Sequence, residues 1–189
     1  MKLISENFRK RLQSLAGIMN EGKNHKNEYG CLMVKINFDG WKDILDSIDK
    51  DDLYTEEEGF GLEKDPHVTI LFGFHDNTDV DKVKELIKEN AGDKIKLSIH
   101  NITLFEAVED KYDVLKFDVK SNDLQKLNKL VRENFDYTSD FPDYHPHITV
   151  AYVKVGKGKK YTNKMPEIEI SSDKLFYSTK DEKKTYFTL

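Results

Sequence analysis

The chain has 189 residues, 38% of them hydrophobic and 34% charged, with a formal net charge of −5. That length fits one domain, or two small closely packed lobes, with room for a real core. The negative balance argues against a protein that coats long nucleic acid, whose affinity comes from neutralising many phosphates, but leaves room for a small anionic ligand in a local pocket. A lone cysteine, Cys31, excludes an internal disulfide framework, and no apolar run is long enough to span a membrane; the expected setting is the cytoplasm.

In chain order, Leu3 to Asn20 places Leu3, Ile4, Phe8, Leu12, Leu15, Ile18 and Met19 at helical spacing, so residues 1–28 read as an N-terminal helix and linker. Residues 29–189 read as a single bilobal domain. Tyr29 to Phe38 alternates as a strand with one strongly apolar face, and Trp41 to Ile48 reads as a short helix. An acidic loop, Asp49 to Lys64, leads to a strand beginning at His67. A helix is predicted near Val80 to Glu89, a long strand over Ile95 to Val108, a strand over Tyr112 to Val119, and a helix over Asp123 to Phe135. The loop Asp136 to His145 precedes a second strand from His147, and Ile168 to Ile170, Leu175 to Ser178 and Thr185 to Thr188 read as closing strands. The composition of elements is α+β.

One phrase occurs twice: Asp65-Pro66-His67-Val68-Thr69 and His145-Pro146-His147-Ile148-Thr149. In a strand alternate residues share a face, so each His-x-Thr sets an imidazole beside a hydroxyl and turns the apolar residue between them away. Each copy closes a strand, helix and loop unit, with 36 positions from Cys31 to His67 and 34 from Asp113 to His147. The repetition predicts two related lobes that each contribute one motif strand to a shared cleft.

Two histidines and two hydroxyl donors are equipment for acid/base chemistry on a phosphodiester. One imidazole removes a proton from the attacking hydroxyl, the other protonates the leaving oxygen, and threonine hydroxyls donate to the non-bridging oxygens. Such a site needs no metal or other cofactor. A zinc reading would use His145, His147 and His67, but the sequence has neither a cysteine cluster nor a His-Glu-x-x-His motif. The lysine-rich stretch Lys154 to Lys164 reads equally as a solvated loop or as phosphate steering.

The tandem motif on an α+β repeat resembles the 2H phosphoesterase superfamily over roughly Tyr29 to Leu189. The segments 29–33, 61–75 and 141–152 resemble its phage anti-CBASS nucleases, which destroy cyclic-oligonucleotide alarm signals. The resemblance implies a two-lobed, pseudo-symmetric fold, with antiparallel sheets around a central cleft and helices outside. It implies a metal-independent phosphodiesterase with His67, Thr69, His147 and Thr149 as its catalytic residues, acting as a monomer on a cyclic or short oligonucleotide. Linear 2′,5′-oligoadenylates, 2′,3′-cyclic phosphates and RNA ends are alternative substrates, and a non-catalytic nucleotide sponge is the non-enzymatic alternative. For base binding, Tyr29 and Tyr144 are the candidate aromatic platforms, with Tyr54 and Phe60 behind them.

Overall fold

A computed structural model describes residues 29–56, 59–108, 111–139 and 143–189. The expected N-terminal helix and linker lie outside these residues. The described chain forms eight strands and three α-helices: β1 (Gly30–Lys35), α1 (Trp41–Asp46), β2 (His67–Phe74), α2 (Val80–Asn90), β3 (Ile95–Val108), β4 (Tyr112–Lys120), α3 (Asn122–Asn134), β5 (His147–Lys154), β6 (Ile168–Ser172), β7 (Lys174–Ser178) and β8 (Lys184–Thr188). Among the described residues no helix is long and apolar enough to cross a membrane.

The strands make two antiparallel four-stranded sheets, ordered β2-β1-β7-β8 and β5-β4-β3-β6. The lobes are therefore not consecutive halves of the chain. β7 and β8 return to complete the sheet that β1 and β2 began, so the second sheet is inserted within the first.

Helices cover one face of this pair of sheets. The α2 helix starts where the Asp79 carboxylate accepts from the backbone N–H groups of Asp81 and Lys82, and α3 where the Ser121 hydroxyl accepts from Leu124 N–H. Their inward residues, Val83 and Ile87 on α2 and Leu124, Leu127 and Val131 on α3, share one core with Val68 and Ile70 of β2 and Ile148 and Val150 of β5. His67, Thr69, His147 and Thr149 alternate with those residues, so all four belong to the opposite, helix-free face.

The sheets meet along β2 and β5, the terminal strands of their respective sheets. Elsewhere the free edges are covered reciprocally. The segment before β2 lies along β5, with Tyr54 N–H donating to Tyr152 O, Tyr152 N–H to Gly61 O and Glu63 N–H to Val150 O. The segment before β5 lies along β2, with Thr138 N–H donating to Gly73 O. Gly73 has φ +111°, and a Cβ there would stand 2.0 Å from the Thr138 carbonyl oxygen. Only glycine combines that backbone conformation with so close an approach.

Candidate active site

Each motif strand carries a bulge at the same place. On β1, Met33 pairs with Thr69 and Leu32 with Leu71, leaving Ile70 as the extra residue. On β4, Lys116 pairs with Thr149 and Leu115 with Ala151, leaving Val150 extra. Each bulge reverses the alternation: Leu71 and Ala151 continue the core, while Phe72 and Tyr152 join aromatic clusters on the motif face. The Ile70 carbonyl accepts from Nδ2 of the buried Asn128 of α3 at 2.6 Å, so the bulge on β2 is held by a helix on the far side of the sheet.

The proline before each histidine has a structural use. Pro66 O accepts from Ile36 N–H and Pro146 O from Val119 N–H, which locks each motif to its neighbouring strand. A residue before proline is confined to extended conformations, fixing the direction of its carbonyl. Those carbonyls point at the imidazoles: His67 Nδ1–H donates to Asp65 O at 2.9 Å, and His147 Nδ1–H to His145 O at 3.1 Å. A carbonyl can only accept, so in both rings Nδ1 bears the proton and Nε2 is the nitrogen suited to exchange one with a ligand.

Aromatic rings flank both imidazoles edge to face, Phe176 with His67 at 6.0 Å and Phe105 with His147 at 5.3 Å. Beyond this the two halves differ. Across from Thr69 stand Met33 and, beside it, Cys31, whose thiol contacts the Thr69 hydroxyl at 4.0 Å. Burial pushes that thiol up to about 12, partly offset by the Thr69 hydroxyl. Across from Thr149 stands the buried Lys116, which donates to Thr103 Oγ1 at 2.8 Å and Asp118 Oδ1 at 2.5 Å, with its ammonium 4.6 Å from the Phe105 ring centroid. Asp118 pairs in register with His147 on one side and His100 on the other. The motif face is thus apolar beside Thr69 and charged beside Thr149. Lys116, Asp118, Phe105 and Phe176 go unnoticed in the sequence because their regular strand alternation carries no mark of nearness to the histidines.

Tyr144 and Tyr29 take different positions. Tyr144 packs against the core, and its hydroxyl donates to Thr69 O at 2.7 Å, joining the approach to one motif to the backbone of the other. Burial raises its phenol well above the ordinary value, which keeps it a donor. Tyr29 stands at the other end of β2 from His67: Gly30 pairs with Phe74 while Lys35 pairs with His67, and the Tyr29 ring lies 6.0 Å from both Phe72 and His75. The structure does not bring Tyr29 to the imidazole. Tyr54 is buried and Phe60 partly buried in a cluster with Tyr112 and Tyr152.

The lysine-rich stretch is joined to the 49–52 turn. Lys160 Nζ reaches Asp52 at 2.5 Å, Tyr161 donates to the same carboxylate, and Lys154 donates to Asp51 O. The Lys160 bond, followed by that of Tyr161, lowers the Asp52 pKa. Among the described residues no group of three or more His, Cys, Asp or Glu is placed to hold a metal ion.

Two antiparallel sheets meeting along terminal strands, each strand opening on Pro-His-x-Thr, define the architecture of a 2H phosphoesterase. The chain belongs to the 2′-5′ RNA ligase superfamily, whose family model matches residues 54–171 and so takes in both motifs. It is an enzyme of the phosphodiesterase class. Among solved structures, Kluyveromyces marxianus Usb1 superposes with a TM-score of 0.57 at 11% identity, covering 87% of this chain and 99% of that one. The same protein with uridine monophosphate gives 0.64 at 8% identity, covering 87% and 100%. Escherichia coli LigT in its apo form gives 0.50 at 12% identity, covering 86% and 94%. At these identities the likeness is one of fold. No protein of curated function matches the chain in sequence.

Proposed function

We propose that residues 29–189 act as one bilobal domain that cleaves 3′,5′ linkages of cyclic oligonucleotide second messengers, with His67, Thr69, His147 and Thr149 as its catalytic residues. The observation that carries this reading is the matched pair of imidazoles on two adjoining terminal strands. Both emerge on the helix-free face, and both have Nδ1 held by the carbonyl two residues earlier. One Nε2 takes the proton of the ribose 2′-hydroxyl as its oxygen attacks phosphorus. The other histidine, protonated at Nε2, delivers its proton to the departing 5′-oxygen. The products are a 2′,3′-cyclic phosphate end and a 5′-hydroxyl, and the two rings exchange protonation states. Thr69 and Thr149 donate to the non-bridging oxygens, with the Lys116 ammonium adding positive charge on the second side.

The resemblance of the segments around both motifs to anti-CBASS nucleases supports the cyclic substrate and, with it, a phage counter-defence role. The family's own description favours a second reading, cleavage of a 2′,5′ linkage, in which the 3′-hydroxyl is the nucleophile and the same four residues serve. Incubation with a panel of cyclic and linear 3′,5′- and 2′,5′-oligonucleotides in EDTA, followed by chromatography of the products, tests both. Cyclic phosphate ends are expected. Near-wild-type turnover in both His67→Ala and His147→Ala would falsify the mechanism.

A further inference from the structure

A single row crosses the whole first sheet on the motif face: Thr69 pairs with Met33, Met33 with Phe176, and Phe176 with Tyr186. The equivalent row of the second sheet runs Thr149, Lys116, Thr103 and carries hydroxyls and an ammonium. Of the large hydrophobic side chains described, only Tyr186 and Val155 are exposed, Tyr186 by 55%. A lone exposed tyrosine on a strand needs no explanation. Tyr186, however, is braced: its ring lies 5.4 Å from that of the buried Phe176 at an interplanar angle of 33°, and Phe176 in turn meets the His67 ring edge at 6.0 Å. The Lys184 ammonium lies 5.5 Å from the Phe176 centroid.

We infer that Tyr186, backed by Phe176, is the platform on which a nucleobase next to the scissile phosphate stacks. This rests on the proposed phosphodiesterase site. With a phosphate at His67 and Thr69, the apolar row leads outward from it over Met33 and Phe176 to the tyrosine, whose ring is two ring contacts, of 6.0 and 5.4 Å, from that of His67, within reach of the base of a nucleotide whose phosphate lies there. The row offers a π-face and little hydrogen-bonding capacity, so it holds any base and favours the larger purines. Recognition by hydrogen bonds falls to the second sheet, where Lys116, Thr103 and Asp118 stand. The cleft is thus divided, with a stacking wall on one lobe and a polar wall on the other.

Binding measured without turnover provides the test. In a His147→Ala background, titrate adenylyl-3′,5′-adenosine and its abasic counterpart, in which both bases are absent, by calorimetry. Tyr186→Ala should weaken the dinucleotide about tenfold, leave the abasic compound unaffected and keep the melting temperature of its parent. Tyr186→Trp should restore affinity, whereas Tyr186→Leu, apolar but without a π-face, should not. Equal effects on the two ligands, recovery with leucine, or no base-dependent binding in the parent would overturn the inference. If the unmutated protein cleaves no oligonucleotide but base-dependent binding still falls with Tyr186→Ala, the catalytic reading fails and the platform stands. If it cleaves and base-dependent binding is unchanged, only the platform fails.

Discussion

The Tyr144 hydroxyl donates to the Thr69 carbonyl at 2.7 Å, so the backbone of the first motif is held by a residue three positions before the second histidine. In the proposed mechanism this bond links the two halves of the site where they keep register with one phosphate. Tyr144→Phe removes a donor to a partly buried carbonyl and should cost about 1 kcal/mol of stability. The fall in kcat should exceed what that small loss explains, with little change in KM. Denaturation curves set beside steady-state kinetics check this, and unchanged kcat would reduce Tyr144 to a packing residue.

In the proposed mechanism the two histidines act together, so their removal should not be additive. Each of His67→Ala and His147→Ala is expected to lower kcat/KM by about 10²–10⁴-fold. The double variant should be far less impaired than the product of the two single losses, because one histidine without the other cannot complete proton transfer. Single-turnover rates for the three variants, with circular dichroism to establish folding, give the comparison.

Gly73 allows the segment before the second motif to lie against β2. Gly73→Ala would drive a methyl into the Thr138 carbonyl at a backbone angle alanine rarely adopts, so a loss of about 2–4 kcal/mol is expected. Urea denaturation measures it. A variant as stable as the parent would show that residues 137–138 can leave the edge of β2 without cost.

Cys31 gives a pH signature. Its thiol ionises at 9.0 ordinarily and at about 12 in the fold, because it is buried. Below pH 9 the folded and unfolded forms are both neutral and the contribution to stability is complete. As pH rises from about 9 to 12 the unfolded chain ionises first, so this stability is lost at up to about 1.4 kcal/mol per pH unit. Comparing slopes of unfolding free energy against pH for the parent and Cys31→Ala isolates the thiol, and equal slopes would contradict the assignment. Native protein at pH 8 should also resist alkylation by iodoacetamide, with reaction appearing on unfolding.

Most elements were legible because their hydrophobic periods are regular. The helix expected over Asp123 to Phe135 is found at Asn122–Asn134, and the long strand over Ile95 to Val108 is found at those bounds. The twin motifs also announced themselves, since His-x-Thr after proline fixes residue type, spacing and face together. The bulges did not. Ile70 followed by Leu71 and Val150 followed by Ala151 read as unbroken apolar runs, and which residue is extra depends on pairing with β1 and β4. Register also sets where Tyr29 stands: it opens the strand beside the motif strand, and antiparallel pairing puts it at the end of that pair away from His67. For Tyr144, composition shows an aromatic ring near the motif but cannot reveal that its hydroxyl is engaged by the other lobe. Tyr186 was hidden for a different reason, because only the return of β8 to the first sheet aligns it with Thr69.

The exchange of edge-covering segments makes the two lobes mutually dependent. Without its counterpart, the sheet ending in β2 would lose the 137–138 segment, and the sheet ending in β5 would lose residues 53–54 and 61–63, leaving bare strand edges that invite aggregation or domain swapping. Because the second sheet is inserted within the first, no single cut yields two self-sufficient pieces. Folding must therefore bring distant parts of the chain together before either motif strand is protected, which favours one slow cooperative transition over stepwise assembly of the lobes.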